Sequence, residues 1–79
     1  MILAVGFVLI TTEPGKEISV RERVAEIECV KGIWVVFGSF DCFVKVEADD
    51  DSELTEAIVK GIRSVPGIVD TRTLVGAEI

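Results

Sequence analysis

The sequence predicts an α+β domain with the element order βαββαβ. One observation is an internal repeat, in which five positions recur 35 residues further on: Val24, Ile27, Val30, Gly32 and Ile33 return as Val59, Ile62, Val65, Gly67 and Ile68. The other is an apolar run before each copy, at residues 2–10 and 42–46. Each copy therefore reads as strand, helix and strand, and residues 1–79 are expected to form one domain.

The first strand is expected over residues 2–11, and it is apolar at both alternations. One side carries Leu3, Val5, Phe7 and Leu9, and the other carries Ile2, Ala4, Val8 and Ile10. Successive side chains of a strand point to opposite faces of the sheet. Because a layer of helices covers only one face, something else must cover the second.

Two helices are indicated by apolar side chains that recur at steps of three and four residues. These are Val20, Val24 and Ile27 in the first copy, and Leu54, Ile58 and Ile62 in the second. Asp50, with Glu53 three residues later, predicts that the second helix starts with a capping box. Gly32 and Gly67 are expected just past the two helix ends, where positive φ is favourable, and Pro66 supports the second end.

The remaining strands are expected at residues 32–38, 41–48 and 67–76, with a hairpin around Gly38 that joins the middle two. Two βαβ units with right-handed crossovers, joined by this hairpin, give a four-stranded antiparallel sheet with two helices on one face. The predicted fold is therefore a ferredoxin-like α+β sandwich.

Size and hydropathy predict self-association through the uncovered face of the sheet. A chain this short buries only about 60 to 65% of its unfolded surface, and 49% of its residues are hydrophobic. Strands that are apolar on both faces, such as residues 33–37, favour a homodimer in which two sheets stack face to face. The alternative is a monomer with several singly exposed aliphatic side chains.

Composition argues against several classes of function. The net charge is −6 with only 8 basic residues, which argues against nucleic-acid binding by this chain. The apolar run at residues 2–10 lacks a basic flank and is too short to span a bilayer, so we expect a cytoplasmic protein. Histidine and tyrosine are absent, no nucleophile and base share a recognisable spacing, and an enzyme is not expected.

Metal and disulfide chemistry are not expected either. Cys29 is predicted at the end of a helix and Cys42 at the start of a strand, without CxxC spacing, so both are interpreted as free, largely buried thiols. The acidic run at residues 49–53 lacks the alternating ligands and the glycine of a calcium loop. Its carboxylates suit a helix N-terminus, and no cofactor or metal is predicted.

Four segments of the chain together resemble one known family. Residues 35–46, which read VVFGSFDCFVKV and follow Val30 and Gly32, look like the second and third strands of the RAM domain, the effector-binding half of Lrp/AsnC transcription regulators. The turn EPG at residues 13–15 and the ending VPGIVDTRT at residues 65–73 resemble the same family. The match covers the whole chain.

The resemblance implies a regulatory function. RAM domains pair through their sheets, the dimers commonly assemble into rings, and small amino-acid effectors bind between neighbouring dimers near the hairpin. This chain starts directly at the first strand, so it resembles stand-alone RAM proteins without a helix-turn-helix, and DNA binding is not carried over. Full-length Lrp/AsnC regulators are among the partners that the resemblance implies.

The hairpin and the last strand supply the groups that a free amino acid needs. Its ammonium requires a fixed anion, and its carboxylate requires backbone donors and hydroxyls. Asp41 is the expected anion, Gly38 lets the backbone approach closely, and amides near Gly38 and Ser39 receive the carboxylate. Thr71 and Thr73 are two residues apart in the last strand and so lie on one face, where their hydroxyls are expected to close the pocket.

Two positions depart from the family's usual pattern. Phe40, which belongs to the expected ligand site, stands where tyrosine is frequent and so removes a hydroxyl. Cys42 occupies a position that is often aliphatic. The identity of the amino acid is therefore left open.

The site residues also have purely structural interpretations. Gly38 suits any hairpin, and Asp41 could cap the turn through local amides. Thr71 and Thr73 are common strand residues. Trp34 is expected in a contact between subunits rather than in ligand stacking.

Three other functions are open on the sequence. An ACT-like regulatory module has the same element order and binds amino acids, but within a dimer joined at the sheet edge. A small dimeric α+β barrel enzyme shares the sheet-to-sheet dimer but needs a polar pocket. A structural partner that co-assembles with full-length regulators would bind no ligand.

Overall fold

The computed structural model describes residues 4–76. The elements are β1 (Ala4–Thr12), α1 (Glu17–Ala25), β2 (Val30–Val35), β3 (Cys42–Ala48), α2 (Asp51–Glu56) and β4 (Ile68–Val75). The strands lie in the order β2-β3-β1-β4, and each neighbouring pair is antiparallel. Both helices supply side chains to the core on one face of the sheet. The predicted ferredoxin-like sandwich is confirmed.

The core lies between the helices and one face of the two central strands. Alternate residues of β1 and β3 point toward the helices and are buried, whereas the residues between them are only half-buried. The register places Val8 opposite Val44 and Ile10 opposite Cys42, so these side chains pack side by side. The helices add further buried side chains to this cluster, namely Val20, Val24, Leu54, Ile58 and Ile62.

The second helix starts at the predicted residue. Asp50 is its N-cap, and the Glu53 backbone N–H donates to Asp50 Oδ1 at 2.8 Å. The Glu53 carboxylate accepts in return from the Asp49 N–H at 3.2 Å, one residue before the position that a standard capping box uses. Beyond α2 the chain continues as one π-helical turn, Ala57–Gly61, and a 3₁₀ turn, Ile62–Ser64.

The prediction that Gly32 ends the first helix is wrong. Helix α1 ends at Ala25, and Cys29 lies in the turn that follows rather than at the helix end. Gly32 pairs with Lys45 inside β2, where a Cβ atom would lie 2.6 Å from the Trp34 ring. The glycine at this position therefore makes room for the indole. Gly67 has a φ of +98°, as predicted for a glycine just past the end of the second helix.

The strand boundaries differ from the predictions mainly at β2. This strand covers Val30–Val35 instead of residues 32–38, so residues 36–41 form the hairpin loop. The predicted bounds of β3 and β4 are within one residue of those observed. Strand β1 reaches one residue further than expected, to Thr12, and residues 2 and 3 lie outside the described residues.

The second face of the sheet carries apolar side chains from all four strands. This open face comprises Val5, Phe7, Leu9, Trp34, Phe43 and Leu74, with Lys45, Glu47 and Arg72 among them. The Phe43 ring centroid lies 5.3 Å from that of Phe7 and 5.8 Å from that of Trp34. Trp34 and Leu74 are half exposed. Both helices lie on the opposite face, so this face is not covered by them.

Candidate functional site

The hairpin loop at residues 36–41 is fixed to the end of β1. The Val36 N–H donates to the Asp41 carbonyl at 2.9 Å, which closes the loop. The Asp41 N–H then donates to the Ile10 carbonyl at 2.8 Å and continues the pairing of β3 with β1. Gly38 has a φ of +126°, where a residue with a side chain would be strained. The loop therefore has a defined shape that depends on this glycine.

The Asp41 carboxylate is bound to Thr12, 29 positions away in the sequence. The Thr12 backbone N–H donates to Asp41 Oδ2 at 2.8 Å, and the Thr12 hydroxyl donates to the same oxygen at 3.1 Å. The Asp41 side chain therefore binds a distant residue and does not cap its own turn through local amides. Neither of these two bonds uses Oδ1.

The other predicted loop residues differ in exposure. Ser39 is exposed, and its carbonyl accepts a long hydrogen bond of 3.4 Å from the Thr11 hydroxyl. Phe40 is half-buried. Phe37, which was expected inside a strand, lies in the loop with 98% of its surface exposed.

Thr71 and Thr73 lie on one face of β4, as the alternation predicted. Thr71 pairs with Ile10 and Thr73 with Val8, so both threonines are on the helix side of the sheet. Thr71 is half-buried and Thr73 is exposed. Strand β1 lies between β3 and β4, and it separates these threonines from the hairpin loop. Within one chain the two groups of predicted site residues flank β1 and do not meet in a pocket.

Three surface hollows lie away from the predicted site. One, of about 690 Å³, lies between the turn at Cys29, the end of β3 and the second helix. Two others lie beside Val59 and beside Pro66. None of these three includes a predicted ligand-site residue.

Sequence reasoning missed Thr12. The first strand was expected to end at residue 11, which left Thr12 outside the sheet. The available signal is the alternation of β1, because Thr12 continues the series of buried residues that includes Val8 and Ile10. The pairing of Thr12 with Asp41 could not have been predicted in this way, since the contact joins two segments far apart in the chain.

The two cysteines are free thiols. Burial raises the pKa of the Cys42 thiol, and the neighbouring Asp41 carboxylate raises this pKa further. The Cys42 side chain therefore remains protonated and packs as a small apolar group opposite Ile10. Among residues 4–76, no group of three or more potential ligand side chains is placed to hold a metal ion. No helix in that range is long and apolar enough to cross a membrane.

The structure combines a hairpin loop fixed to β1, an apolar open face and a duplicated βαβ frame. The comparison with known families identifies the family to which this domain belongs. The Lrp/AsnC ligand binding domain matches residues 5–77, and the chain belongs to this family. The family is a ligand-binding domain of transcription regulators, which favours a regulatory role over an enzymatic one.

Two curated relatives carry a similar segment within a longer chain. Homocitrate synthase from Sulfolobus acidocaldarius is 42% identical over 55 residues, which are 70% of this chain and 12% of the enzyme. An uncharacterized HTH-type transcriptional regulator from Pyrococcus furiosus is 31% identical over 73 residues, which are 89% of this chain and 49% of the regulator. This chain therefore spans about half or less of these relatives.

Solved structures share the fold. The crystal structure of FFRP-DM1 superposes with a TM-score of 0.89 and is 36% identical, and the match covers 94% of this chain and 99% of that one. The transcriptional regulator NMB0573 from Neisseria meningitidis, solved as a complex with L-Met, has a TM-score of 0.78 at 15% identity. That match covers 95% of this chain and 50% of the regulator, and at this identity it concerns the fold alone.

Proposed function

We propose that this chain is an amino-acid-responsive regulatory domain. It pairs with a second copy through the open face, and the dimers assemble further into a ring. A small free amino acid binds at the hairpin loop between dimers and changes the assembly or the activity of a partner regulator in the cytoplasm. The observation that carries the proposal is the match of residues 5–77 to the Lrp/AsnC ligand binding domain family.

Pairing through the open face is supported by its chemistry. Aromatic and aliphatic side chains from four strands lie together there, and Trp34 and Leu74 are 51% and 52% exposed in the single chain. Monomeric proteins rarely expose apolar patches of this extent, and burying them against a second copy removes their apolar area from water. A two-fold dimer suits such a face because each copy presents the same patch.

A ligand site between dimers is supported by the position of the candidate groups. The hairpin loop and the Thr71 and Thr73 hydroxyls are on opposite sides of β1, so a pocket with both would combine groups from neighbouring subunits. The exposed Phe37 would be covered by such a contact. Binding between subunits would stabilise the assembly, because the ligand binds only the assembled form.

The loop offers complementary groups to the two charges of an amino acid. Asp41 would accept a hydrogen bond from the ammonium through Oδ1, the oxygen that its bonds to Thr12 do not use. Backbone amides at Gly38 and Ser39 would donate to the carboxylate. Phe40, which is half-buried at the same loop, would contact the ligand side chain. The Neisseria regulator, which shares this fold over 50% of its length, was solved as a complex with L-Met, and this supports an amino acid as the ligand to test first.

The partner is proposed to be a longer protein with a domain of the same family. Similar segments occur both in an HTH-type regulator and in homocitrate synthase, where they account for 49% and 12% of the length. A module that occurs with a DNA-binding protein and with an enzyme suits a sensor that acts on its partner. We propose full-length Lrp/AsnC regulators as the first partners to test.

Native mass spectrometry of the purified protein with each common amino acid tests the ligand proposal. We expect a multiple of dimers that gains the mass of one amino acid per interface, and we expect Asp41→Ala to lose this added mass while keeping its subunit count. Asp49→Ala is the matched control, since it removes an exposed carboxylate at the other end of β3. If Asp41→Ala binds normally, the site is wrong, and an assembly that ignores every amino acid indicates a structural co-assembly role.

A further inference from the structure

Thr12 is unusual among the residues of the core. Within residues 4–76 it is the one polar residue that is buried, with 6% of its surface exposed. A buried hydroxyl is costly unless it is hydrogen-bonded. Here the cost is offset by Asp41, whose Oδ2 accepts from the Thr12 hydroxyl at 3.1 Å.

The geometry of this contact restricts the Asp41 carboxylate. Two donors, the N–H and the hydroxyl of Thr12, converge on one oxygen at 2.8 and 3.1 Å. Bonds to an ionised acceptor are shorter and stronger than neutral ones, so they hold Oδ2 in place. Thr is β-branched and has few side-chain rotamers, which keeps its hydroxyl directed at the carboxylate. With Oδ2 held, the orientation of Oδ1 is fixed as well.

Thr12 itself is anchored on its other side. It pairs with Ile68 of β4 at a register shift between Thr11 and Thr12. The next residue, Glu13, donates its N–H to the Gly67 carbonyl at 2.8 Å. Thr12 thus links the hairpin loop to a point where β1 and β4 are already held together. It supports the loop from inside the fold, since only 6% of its surface is exposed.

We propose that Thr12 is a positioning residue of the amino-acid site. It holds the Asp41 carboxylate in the orientation in which Oδ1 meets the ligand ammonium. Thr12 does not touch the ligand and acts only through Asp41. This inference rests on the proposed function, and it adds a buried residue on β1 to a site otherwise described by its loop. A preorganised group binds better because less freedom is lost when the ligand arrives.

The test is a pair of variants at one position. Thr12→Val keeps the size and the backbone N–H but removes the hydroxyl, and Thr12→Ser keeps the hydroxyl. The common amino acids, added one at a time to wild type, first identify the probe by native mass spectrometry. Calorimetric titration with that amino acid should then show affinity about tenfold lower for Thr12→Val, because the Asp41 carboxylate is no longer held in advance and must be ordered when the ligand binds. Thr12→Ser should retain most of the wild-type affinity.

Two further measurements separate positioning from general damage. Amide hydrogen exchange at residues 38–41 should be faster in Thr12→Val than in Thr12→Ser, with equal exchange in the core of β3. The subunit count should be unchanged in both variants. If Thr12→Val does not fold, Thr12→Ala provides the same deletion of the hydroxyl in a smaller side chain.

The outcomes distinguish this inference from the proposed function. If wild type binds an amino acid, Asp41→Ala does not, and Thr12→Val binds like wild type, the positioning role is overturned while the function stands. If wild type binds none of the amino acids, the proposed function fails and the role of Thr12 fails with it. Loss of affinity in Thr12→Val that Thr12→Ser restores supports the inference.

Discussion

The two faces of the sheet are both apolar, but only one is covered within the chain. On the helix side, Val8, Ile10 and Val44 have no exposed surface. On the open face, Phe7 and Leu9 from the same strand are half-buried, and Trp34 and Leu74 at the edges are half exposed. In β1 the apolar pattern is the same on both faces, whereas β3 places Lys45 and Glu47 on the open face. The faces also differ because the helices that cover the helix side belong to the same chain.

This difference separates two kinds of stability. Side chains on the helix side lose contact with water when the chain folds, so they determine the free energy of unfolding. Side chains on the open face keep part of their contact with water in the single chain, so in the proposed dimer their remaining exposed area contributes to the dimer dissociation constant. Variants at neighbouring residues of one strand, which point to opposite faces, therefore test the comparison directly.

The largest effect is expected on the helix side of β1. Ile10→Ala removes a fully buried side chain and leaves a cavity, which should lower the free energy of unfolding by about 2 to 5 kcal/mol. Leu9→Ala, its neighbour on the open face, should cost less, and it should make the unfolding midpoint depend less strongly on protein concentration, because a weakened dimer contributes less to stability. Urea denaturation followed by circular dichroism at two protein concentrations measures both. Equal losses at the two positions would contradict the division between faces.

A smaller effect is expected at β4, where adjacent residues have similar exposure. Leu74 lies on the open face opposite Phe7, and Val75 lies on the helix side opposite Gly6, with 52% and 60% of their surfaces exposed. Leu74→Ser should raise the dimer dissociation constant about tenfold, which corresponds to about 1.4 kcal/mol. Val75→Ser should leave it unchanged. Analytical ultracentrifugation provides the measurement, and a stronger effect of Val75→Ser would place the dimer contact on the other face.

The fold was predictable from the sequence because apolar residues recur with helical and strand periods. The 35-residue repeat, however, does not match buried residues with buried residues throughout the two helices. Val24 is buried, whereas its counterpart 35 positions later, Val59, is 49% exposed. The buried equivalent of Val24 is Ile58, 34 positions later, whereas Ile62 lies 35 positions after Ile27. The second copy therefore has one more residue between these two positions. The extra residue enters where the second helix takes π geometry, at Ala57–Gly61. The apolar spacing of Leu54, Ile58 and Ile62 indicates the buried residues of this segment, whereas the 35-residue repeat alone does not.

The candidate site was predictable only in part. The hairpin loop was found from Gly38 and its turn residues, since positive φ restricts the choice of residue. The bond between Thr12 and Asp41 was not found, because it depends on how the end of β1 meets the loop in three dimensions. The boundary of β2 was missed for a related reason, since Val36 and Phe37 are apolar but lie in the loop.

The smallest expected effect is a pH dependence of stability from Cys42, on the covered face next to the loop. Burial, and then the charge of Asp41, raises the pKa of this thiol in the folded protein. Above the ordinary thiol pKa the unfolded chain releases the proton while the folded chain keeps it, so stability is full below that pH and falls as the pH rises toward the folded pKa. Urea midpoints between about pH 7 and pH 10 should therefore fall less steeply for Cys42→Ala than for the protein with Cys42, both in a Cys29→Ala background. If the midpoints of the two proteins fall equally with pH, then neither burial nor the charge of Asp41 raises the pKa of Cys42 enough to affect stability.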